Sequence, residues 1–396
     1  MTGREKLARD SRSRLQYLLI TFDFPPGVGG IETRLGNYVA QIVRRGRKVS
    51  VVHLLNPEDR RKLLGPRLSS TGEFHGASLH RFAYLFHLTP FIIISSLRRV
   101  GFGPSNTVHV FTGANTLLGA TFILLARLAR KNAGVSLFGK DFLSSRQSKL
   151  YLFPLVFSML MSTHLMVNSK ATLGLVPSNL RRKATILYPG VDESVLGPFL
   201  TGRGKGAMQK VLFVGRLVRR KGLADLVEAF KLVTKENLAA ELVIVGDGPF
   251  RGELERIIGD SGLVGRISMK GMLTGRDLYS EYASCDVFVM PSRTSGDDME
   301  GFGMVFLEAG FFGKPSIGTD AGGIPEAVID GQTGLLVRQG DVEGLSRKIL
   351  LVLRDKSLAE KLGRNARERV TSSLTWESSV GGFLRMYEDP LEVSQV

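Results

Sequence analysis

The sequence predicts an α/β protein with two domains, each built on a doubly wound parallel sheet. A chain of 396 residues is longer than one typical hydrophobic core supports. In both halves short apolar runs that resemble strands alternate with segments of helical periodicity, which is typical of parallel sheets. Between the halves, residues 197–209 are rich in glycine and basic residues and lack periodicity, so we interpret them as a linker.

These observations divide the chain into an N-terminal domain at 1–200, a C-terminal domain at 201–370, and a terminal helix and tail at 371–396. The predicted strands of the first domain are 15–21, 49–55, 108–111, 135–138, 164–168 and 184–188, and its predicted helices are 31–44, 115–130 and 146–162. Residues 57–80 show no pattern that assigns them to an element.

The second domain repeats the alternation of strand and helix. Its predicted strands are 210–214, 241–245, 267–270, 287–290, 316–318 and 335–337, and its predicted helices lie near 223–235, 250–261, 275–284, 303–312, 324–329 and 341–354. A helix at 358–370 and a tail at 375–388 close the chain. Sheets of this type place ligand sites at the carboxyl ends of their strands, so we searched the loops there.

The composition excludes several kinds of site and segment. The single cysteine, Cys285, excludes an internal disulfide and a cysteine-based zinc site, and its place beside an apolar strand predicts an inert thiol in a reducing cytoplasm. We expect no signal peptide, and no transmembrane helix because the apolar run 150–167 contains Pro154 and several polar residues. The histidines lack metal-ligand spacing and no Asp-x-Asp pair occurs, so we expect chemistry without a metal or cofactor.

The most informative stretch is 285–310, which reads CDVFVMPSRTSGDDMEGFGMVFLEAG. A buried strand is followed by a polar loop, by Gly301, Phe302 and Gly303, and then by an apolar run from Met304 that we interpret as a buried helix. Glycines at a helix start let backbone N–H groups approach an anion closely. Glu308 is the one charge inside the apolar run, and a lone buried carboxylate is costly unless something pairs with it.

Together with Glu300 in the preceding loop, this pattern predicts a phosphate site with two carboxylates beside it. The cations for such a site follow an earlier strand, in the sequence VGRLVRRKG. Arg216, directly after Gly215, and Lys221 offer fixed positive charge to a diphosphate, while the neighbouring Arg219 and Arg220 also fit a solvated basic turn.

Three further glycine-containing turns have alternative interpretations. Residues 246–249 either form a simple reverse turn or lie beside a nucleotide. Residues 322–326 either bind phosphate or make a tight connection. Residues 27–32 resemble a dinucleotide fingerprint only loosely, because the third glycine is missing and no acid ends the next predicted strand.

On these residues the chain resembles the retaining family 4 glycosyltransferases of the GT-B fold, in which two Rossmann-like domains face each other across a cleft. The matching pieces of the second half are VGRLVRRKG, VGDGP, DVFVMPS through EGFGMVFLEA, AGGIPEAV and GQTGLLV. FPPGVGGIE, VNSKAT and YPGVD in the first half match more weakly. Together they span most of residues 15–355, and the two glutamates eight positions apart are a specific feature.

The resemblance implies a nucleotide-diphosphate sugar as donor and assigns a role to each site residue. Arg216 and Lys221 would bind the diphosphate and stabilise the leaving group, Glu300 would bind donor-sugar hydroxyls, and Glu308 the ribose. Other donor contacts implied by the family come from Gly215, from the backbone of Gly301, Phe302, Gly303 and Met304, from Gly271, Met272 and Leu273 near the base, and from Gly29 and Gly30 across the cleft. The acceptor would bind the N-terminal domain.

One position departs from the family pattern. Phe138 stands where a histidine is usual, so a side-chain hydrogen bond to the donor sugar is lost, although the main-chain carbonyl remains and Asp141 could orient a hydroxyl. A protein that binds nucleotide sugars without turnover is therefore an alternative to an enzyme. A nucleic-acid-binding protein would explain the charge but not a buried Glu308, and the basic residues lack interleaved aromatic residues.

The net charge of +16 resides in the first half of the chain. Residues 1–200 contain 27 Lys and Arg against 10 Asp and Glu, whereas residues 201–396 contain 26 against 27. This asymmetry favours an anionic or lipid-linked acceptor and peripheral contact with an anionic membrane at its cytoplasmic face. The basic patches considered for this contact are 44–48, 60–62, 98–99 and 181–183, each of which could also be a solubilising face, and an interfacial helix is predicted at 91–94.

Overall fold

The protein forms two compact units. A computed structural model describes residues 16–25, 29–55, 57–64, 69–83, 106–139, 141–143, 148–200, 208–236, 239–295 and 298–388. The first unit comprises residues up to 168, residues 172–187 and the chain from Trp376 onward. The second comprises residues 169–171 and 188–375. Residues 188–200, which the sequence prediction placed in the N-terminal domain, therefore pack with the second unit. The interfacial helix predicted at 91–94, and residues 201–207 of the predicted linker, lie outside the described residues.

The first unit contains an eight-stranded sheet in the order β3-β4-β2-β1-β5-β6-β7-β8. Every described pairing is parallel except that of β3 with β4. The strands are β1 (Gln16–Thr21), β2 (Lys48–Leu55), β3 (Ser69–Phe74), β4 (Ala77–Ala83), β5 (Asn106–Val110), β6 (Ala133–Leu137), β7 (His164–Val167) and β8 (Ala184–Ile186). The helices are α1 (Gly30–Arg44), α2 (Pro57–Leu63), α3 (Leu117–Leu128), α4 (Lys149–Met161), α5 (Lys170–Leu175), at the boundary of the units, and the terminal helix, Trp376–Glu388.

Alternation along the strands gives this sheet two apolar faces. Leu18 and Ile20 of β1 join the core formed with α3 and α4. The intervening Tyr17 packs against Phe383 of the terminal helix, with ring centroids 5.9 Å apart. Tyr38 of α1 also contacts Phe383, and its hydroxyl is 2.7 Å from Ser379 Oγ. These contacts fasten the last helix to the first unit, although it is the final element of the chain.

The second unit contains a six-stranded, wholly parallel sheet in the order β11-β10-β9-β12-β13-β14. Its strands are β9 (Gln209–Val214), β10 (Ala240–Val245), β11 (Ile267–Gly271), β12 (Val287–Met290), β13 (Ser316–Thr319) and β14 (Gly334–Val337). Its helices are α6 (Glu193–Leu196), α7 (Leu223–Lys235), α8 (Arg251–Asp260), α9 (Gly275–Ser284), α10 (Met304–Phe311), α11 (Ile324–Ala327), α12 (Val342–Arg354) and α13 (Lys356–Ser373). The terminal helix is α14.

The predicted fold class is confirmed, because both units are α/β with parallel sheets of nearly fully buried central strands. A β-hairpin, β3 and β4, occupies the second half of the region 57–80 that showed no sequence pattern. Its turn is made by His75 and Gly76, both at positive φ, whereas the usual sequence signal for such a turn is Asn-Gly or Asp-Gly. Within the described residues, no helix combines the length and apolarity needed to cross a membrane.

The loops after β9, β10 and β12 pack together so closely that glycine is required between them. A Cβ on Gly246, after β10, would lie 1.9 Å from the carbonyl oxygen of Gly215, after β9. A Cβ on Gly222 would lie 2.0 Å from the carbonyl oxygen of Pro291, after β12, and Gly222 has φ +70°. The functional residues that follow these strands are therefore held by direct backbone contact.

We expect Gly222→Ala to destabilise the protein by about 2–4 kcal/mol, since left-handed strain and a backbone clash add together. Gly262→Ala is the matched control, because Gly262 has φ +74° with nothing within 4 Å of its built Cβ. It should cost only the strain, about 1–2 kcal/mol. Denaturant unfolding of both variants measures the difference, and equal losses would contradict the contact with Pro291.

Candidate functional site

An ion-pair cluster joins the loop after β9 to the loop after β12. Lys221 Nζ donates to Glu300 Oε2 at 2.5 Å, and Arg220 Nη1 donates to the same oxygen at 3.1 Å. Arg220 Nε also lies 3.0 Å from Asp298 Oδ1. Both cations lie in a short 3₁₀ turn, Arg219–Lys221, which Gly222 follows. Glu300 Oε1 accepts no hydrogen bond from the residues that the structure describes, so one carboxylate oxygen is left to meet a ligand.

The cluster determines the charge of Glu300. Burial alone would raise the pKa of this carboxyl, but Lys221 and Arg220 outweigh burial and lower the pKa to about 2. Its side chain is only 15% exposed, so water screens the interaction weakly. Glu300 is therefore an anion at every pH at which the protein would work.

The surroundings of the second carboxylate, Glu308, shift its pKa in the opposite direction from that of Glu300. Glu308 lies on α10, and Tyr282 Oη of α9 donates to its Oε2 at 2.7 Å. Burial raises the pKa of Glu308 to about 6, and the hydrogen bond from Tyr282 partly offsets that increase. This hydroxyl is the partner that the lone charge in an apolar helix requires. Unlike Glu300, Glu308 changes protonation near neutral pH.

The glycine loop between the two carboxylates leads into the amino end of α10. Gly303 precedes the helix with φ +90°, in the left-handed region. A second glycine turn supports this loop, since Gly323 N–H donates to the Glu300 carbonyl at 2.8 Å and a Cβ on Gly323 would lie 2.2 Å from the Gly301 carbonyl oxygen. The turn at 322–323 therefore positions the loop, and this close contact requires glycine at position 323.

The remaining predicted donor contacts of the second unit lie at the same edge of the sheet. The Arg216 side chain is exposed and makes no hydrogen bond or ion pair with the described residues. Gly271 ends β11, and its carbonyl accepts from Gly246 N–H at 2.7 Å. Met272 is 60% exposed, whereas Leu273 packs against the core. Phe302 is buried, and its ring lies 5.2 Å from that of Tyr188.

Gly29, Gly30 and Phe138 belong to the first unit. Gly29 precedes α1, which begins at Gly30, and its carbonyl accepts from Thr33 N–H at 3.0 Å. Phe138 follows β6 and is buried, with its ring 5.6 Å from the guanidinium of Arg34. Its N–H donates to Asp141 Oδ2 at 2.8 Å, and its carbonyl accepts from Asp141 N–H at 3.0 Å. Asp141 thus closes the turn that contains Phe138.

Sequence reasoning missed two residues of this site, Arg220 and Tyr282. Arg220 was grouped with Arg219 as a possible solvated turn, and that interpretation holds only for Arg219, which is exposed and pairs with Glu253. The signal for Tyr282 was the unpaired Glu308, which required a donor on a neighbouring element. Burial raises the pKa of Cys285 to about 12, so this thiol is unreactive. Across the described ranges, no three His, Cys, Asp or Glu side chains form a group that could hold a metal ion.

Comparison with known proteins supports these assignments at the level of family and fold. The family model described as "Glycosyl transferases group 1" matches residues 205–369. A GDP-mannose-dependent alpha-(1-6)-phosphatidylinositol monomannoside mannosyltransferase of Mycobacterium tuberculosis is 28% identical over 393 residues, covering 93% of this chain and 98% of that protein. A GDP-mannose-dependent monoacylated alpha-(1-6)-phosphatidylinositol monomannoside mannosyltransferase of Corynebacterium glutamicum is 37% identical over 164 residues, covering 41% of this chain and 42% of that protein.

Solved structures resemble this chain over nearly its whole length. Sucrose-phosphate synthase from Thermosynechococcus elongatus superposes with a TM-score of 0.74 at 21% identity, covering 95% of this chain and 99% of that one. Anabaena HepE in complex with UDP and glucose superposes with a TM-score of 0.71 at 18% identity, covering 94% and 99%. At these identities the likeness establishes the fold, which is GT-B, as the sequence resemblance implied.

We expect Glu300→Gln to reduce the dependence of stability on acid pH. In the folded protein the pKa of Glu300 is about 2, below its unfolded value of about 4.3. Its ion pairs therefore stabilise the fold above the unfolded pKa, and the stabilisation is lost as pH falls toward 2. Between pH 6 and 3 the wild type should lose about 1–2 kcal/mol more unfolding free energy than the variant.

Denaturant unfolding followed by circular dichroism at several pH values measures this difference. Glu343→Gln is the control, since Glu343 is 79% exposed in a surface ion pair with Arg347. The control should retain the wild-type pH profile. A Glu300→Gln profile that parallels wild type would show that the cluster does not hold the carboxyl ionised.

Proposed function

We propose that this chain is a group 1 glycosyl transferase, the family whose model matches residues 205–369. In this proposal it moves a hexose from a nucleotide-diphosphate sugar to a hydroxyl of a lipid-linked acceptor, with retention of anomeric configuration. The mycobacterial relative that aligns over 93% of the chain is named for GDP-mannose and a phosphatidylinositol mannoside. These names support GDP-mannose as the first donor to test and a mannosylated phosphatidylinositol as the first acceptor. Such an acceptor would place the chain at the cytoplasmic face of a membrane.

The observation that carries the proposal is the set of charges and hydroxyl-binding groups around one glycine loop. Glu300 offers one free oxygen, Lys221 is fixed beside it, and Arg216 is exposed at the same sheet edge. We assign Arg216 and Lys221 to the diphosphate, Glu300 to hydroxyls of the donor sugar and Glu308 to the ribose. The amino end of α10 adds backbone N–H groups next to the glycine loop.

The proposed mechanism needs no strong protein base. The acceptor oxygen attacks the anomeric carbon from the side on which the bond to the diphosphate breaks, and the acceptor proton passes to a diphosphate oxygen. The bonding electrons leave with the diphosphate, whose added charge Arg216 and Lys221 offset. Single donors to developing anions contribute about 3–4 kcal/mol in other enzymes. We assign this charge compensation to side chains and helix dipole, with no metal or cofactor.

We expect Arg216→Ala to reduce kcat/KM for transfer by about 10²–10³-fold, because it removes a cation from the leaving group. The matched control is Arg219→Ala, three residues along the same loop, where the exposed arginine pairs with Glu253. Initial rates of GDP-mannose consumption in the presence of acceptor measure both. Turnover like wild type in Arg216→Ala would remove that residue from the mechanism. A wild-type protein that binds donor but never turns it over would instead support the non-catalytic alternative.

Donor affinity should decrease as pH falls through about 6, because protonated Glu308 loses acceptor capacity for ribose hydroxyls. Between pH 7 and 5 the donor Kd should rise about tenfold. The hydrogen bond from Tyr282 lowers the pKa of Glu308. Tyr282→Phe removes this bond, so the pKa should rise and the transition should move to higher pH. Tyr279→Phe, on the same helix, is the control and should keep the wild-type midpoint. Isothermal titration across pH tests the assignment, and an unchanged midpoint in Tyr282→Phe would refute it.

A further inference from the structure

Helix α4 begins with large apolar side chains that are exposed among the residues the structure describes. Leu150 is 66% exposed and Phe153 is 69% exposed, and Tyr151 and Leu152 between them are also exposed. At the other end of the helix Leu160 is exposed as well. Single exposed apolar residues are normal on a soluble surface, but Leu150, Phe153 and Leu160 recur at spacings of three and seven residues. They therefore lie on one face of the helix, and such a patch indicates an interaction.

This exposure belongs to an ordered and anchored helix. Ser148 caps the first turn by accepting from Leu150 N–H at 3.2 Å. On the opposite side Leu155 and Met159 are buried in the core, and Ser158 Oγ donates to the Ala114 carbonyl at 2.8 Å. The fold therefore holds one face of α4 inside the unit and presents the other. Phe153 and Phe157 stack with ring centroids 6.2 Å apart, so these two rings hold each other in position on the exposed side of the helix.

The part of the sequence that contains this helix is strongly basic. Residues 106–187 contain ten Lys and Arg and a single acid, Asp141. That acid is buried and binds the Phe138 N–H. At the carboxyl end of α4, Lys183 Nζ donates to the carbonyls of Leu160 and Ser162 at 2.8 and 3.1 Å. Burial lowers the pKa of Lys183, and so do Arg182 and Arg127, so the three cations lie close together.

We propose that the exposed face of α4 binds an anionic lipid bilayer, with Leu150 and Phe153 entering the boundary between headgroups and acyl chains. Large apolar side chains flanked by cations match such a surface in both polarity and charge. A second copy of this chain fits less well, because it would bring the same positive charge against itself. The purpose of this contact rests on the proposed function, since a lipid-linked acceptor is reached only at a bilayer. This surface differs from the helix predicted at 91–94, which lies outside the described residues.

The test compares the double variant Leu150→Gln/Phe153→Gln with the double variant Val264→Gln/Leu351→Gln. The control pair is also exposed and apolar but lies in the second unit. Flotation would be measured on vesicles of phosphatidylcholine alone and of equal parts phosphatidylcholine and phosphatidylglycerol. Wild type and control should float with the anionic vesicles only. The α4 variant should bind them at least about tenfold more weakly, because glutamine gains much less than leucine or phenylalanine from leaving water.

Three results would overturn the proposal: undiminished binding by the α4 variant, an equal loss in the control, or no binding of anionic vesicles by wild type. A wild-type dimer that the α4 variant converts to monomer, without vesicle binding, would assign the face to a second copy. Donor-induced thermal stabilisation and transfer to a detergent-dispersed acceptor should be unchanged in the α4 variant. Absent transfer in a wild type that still binds vesicles would refute the proposed function alone.

Discussion

The contact on which the second unit's site depends is the pair between Lys221 and Glu300. Bringing both charges out of water costs several kcal/mol per ion, and a short contact must recover that cost. The recovery requires the loops after β9 and β12 to be in register, and backbone contact between Gly222 and Pro291 provides it. The ion pair between Lys221 and Glu300 therefore depends on the close backbone contact at Gly222. Removing Glu300 would leave the buried Lys221 without its ion-pair partner, which is more costly than never having had the pair.

The two carboxylates on either side of the glycine loop have pKa values on opposite sides of the ordinary value. Cations surround Glu300, so its pKa falls to about 2, whereas apolar groups and one phenol surround Glu308, so its pKa rises to about 6. Their sequence positions are only eight apart, and the difference arises from neighbours on other elements. One acid is thus suited to permanent roles in structure and hydroxyl binding. The other can couple ligand binding to pH.

Local patterns predicted the parts of this protein that depend on local chemistry. Apolar runs located the strands, and the isolated Glu308 in an apolar helix indicated a paired acid. What the sequence did not show depends on tertiary contact: Arg220 resembled a solvated neighbour of Lys221 until Glu300 was seen beside it, and Tyr282 lies on a different helix from its partner. Residues 188–200 lack any compositional signal for the unit with which they pack. The β3–β4 hairpin uses His-Gly, a turn pair that sequence rules do not favour.

The turn after β6 explains why phenylalanine can stand at position 138. Asp141 accepts from the Phe138 N–H with its side chain and donates to the Phe138 carbonyl with its own N–H. Both bonds involve only the backbone of residue 138, so the turn does not depend on the side chain there. The buried ring rests against Arg34 instead of presenting a hydrogen-bond donor. A carbonyl oxygen has two lone pairs and Asp141 uses one, so the backbone keeps an acceptor that a side-chain substitution cannot remove.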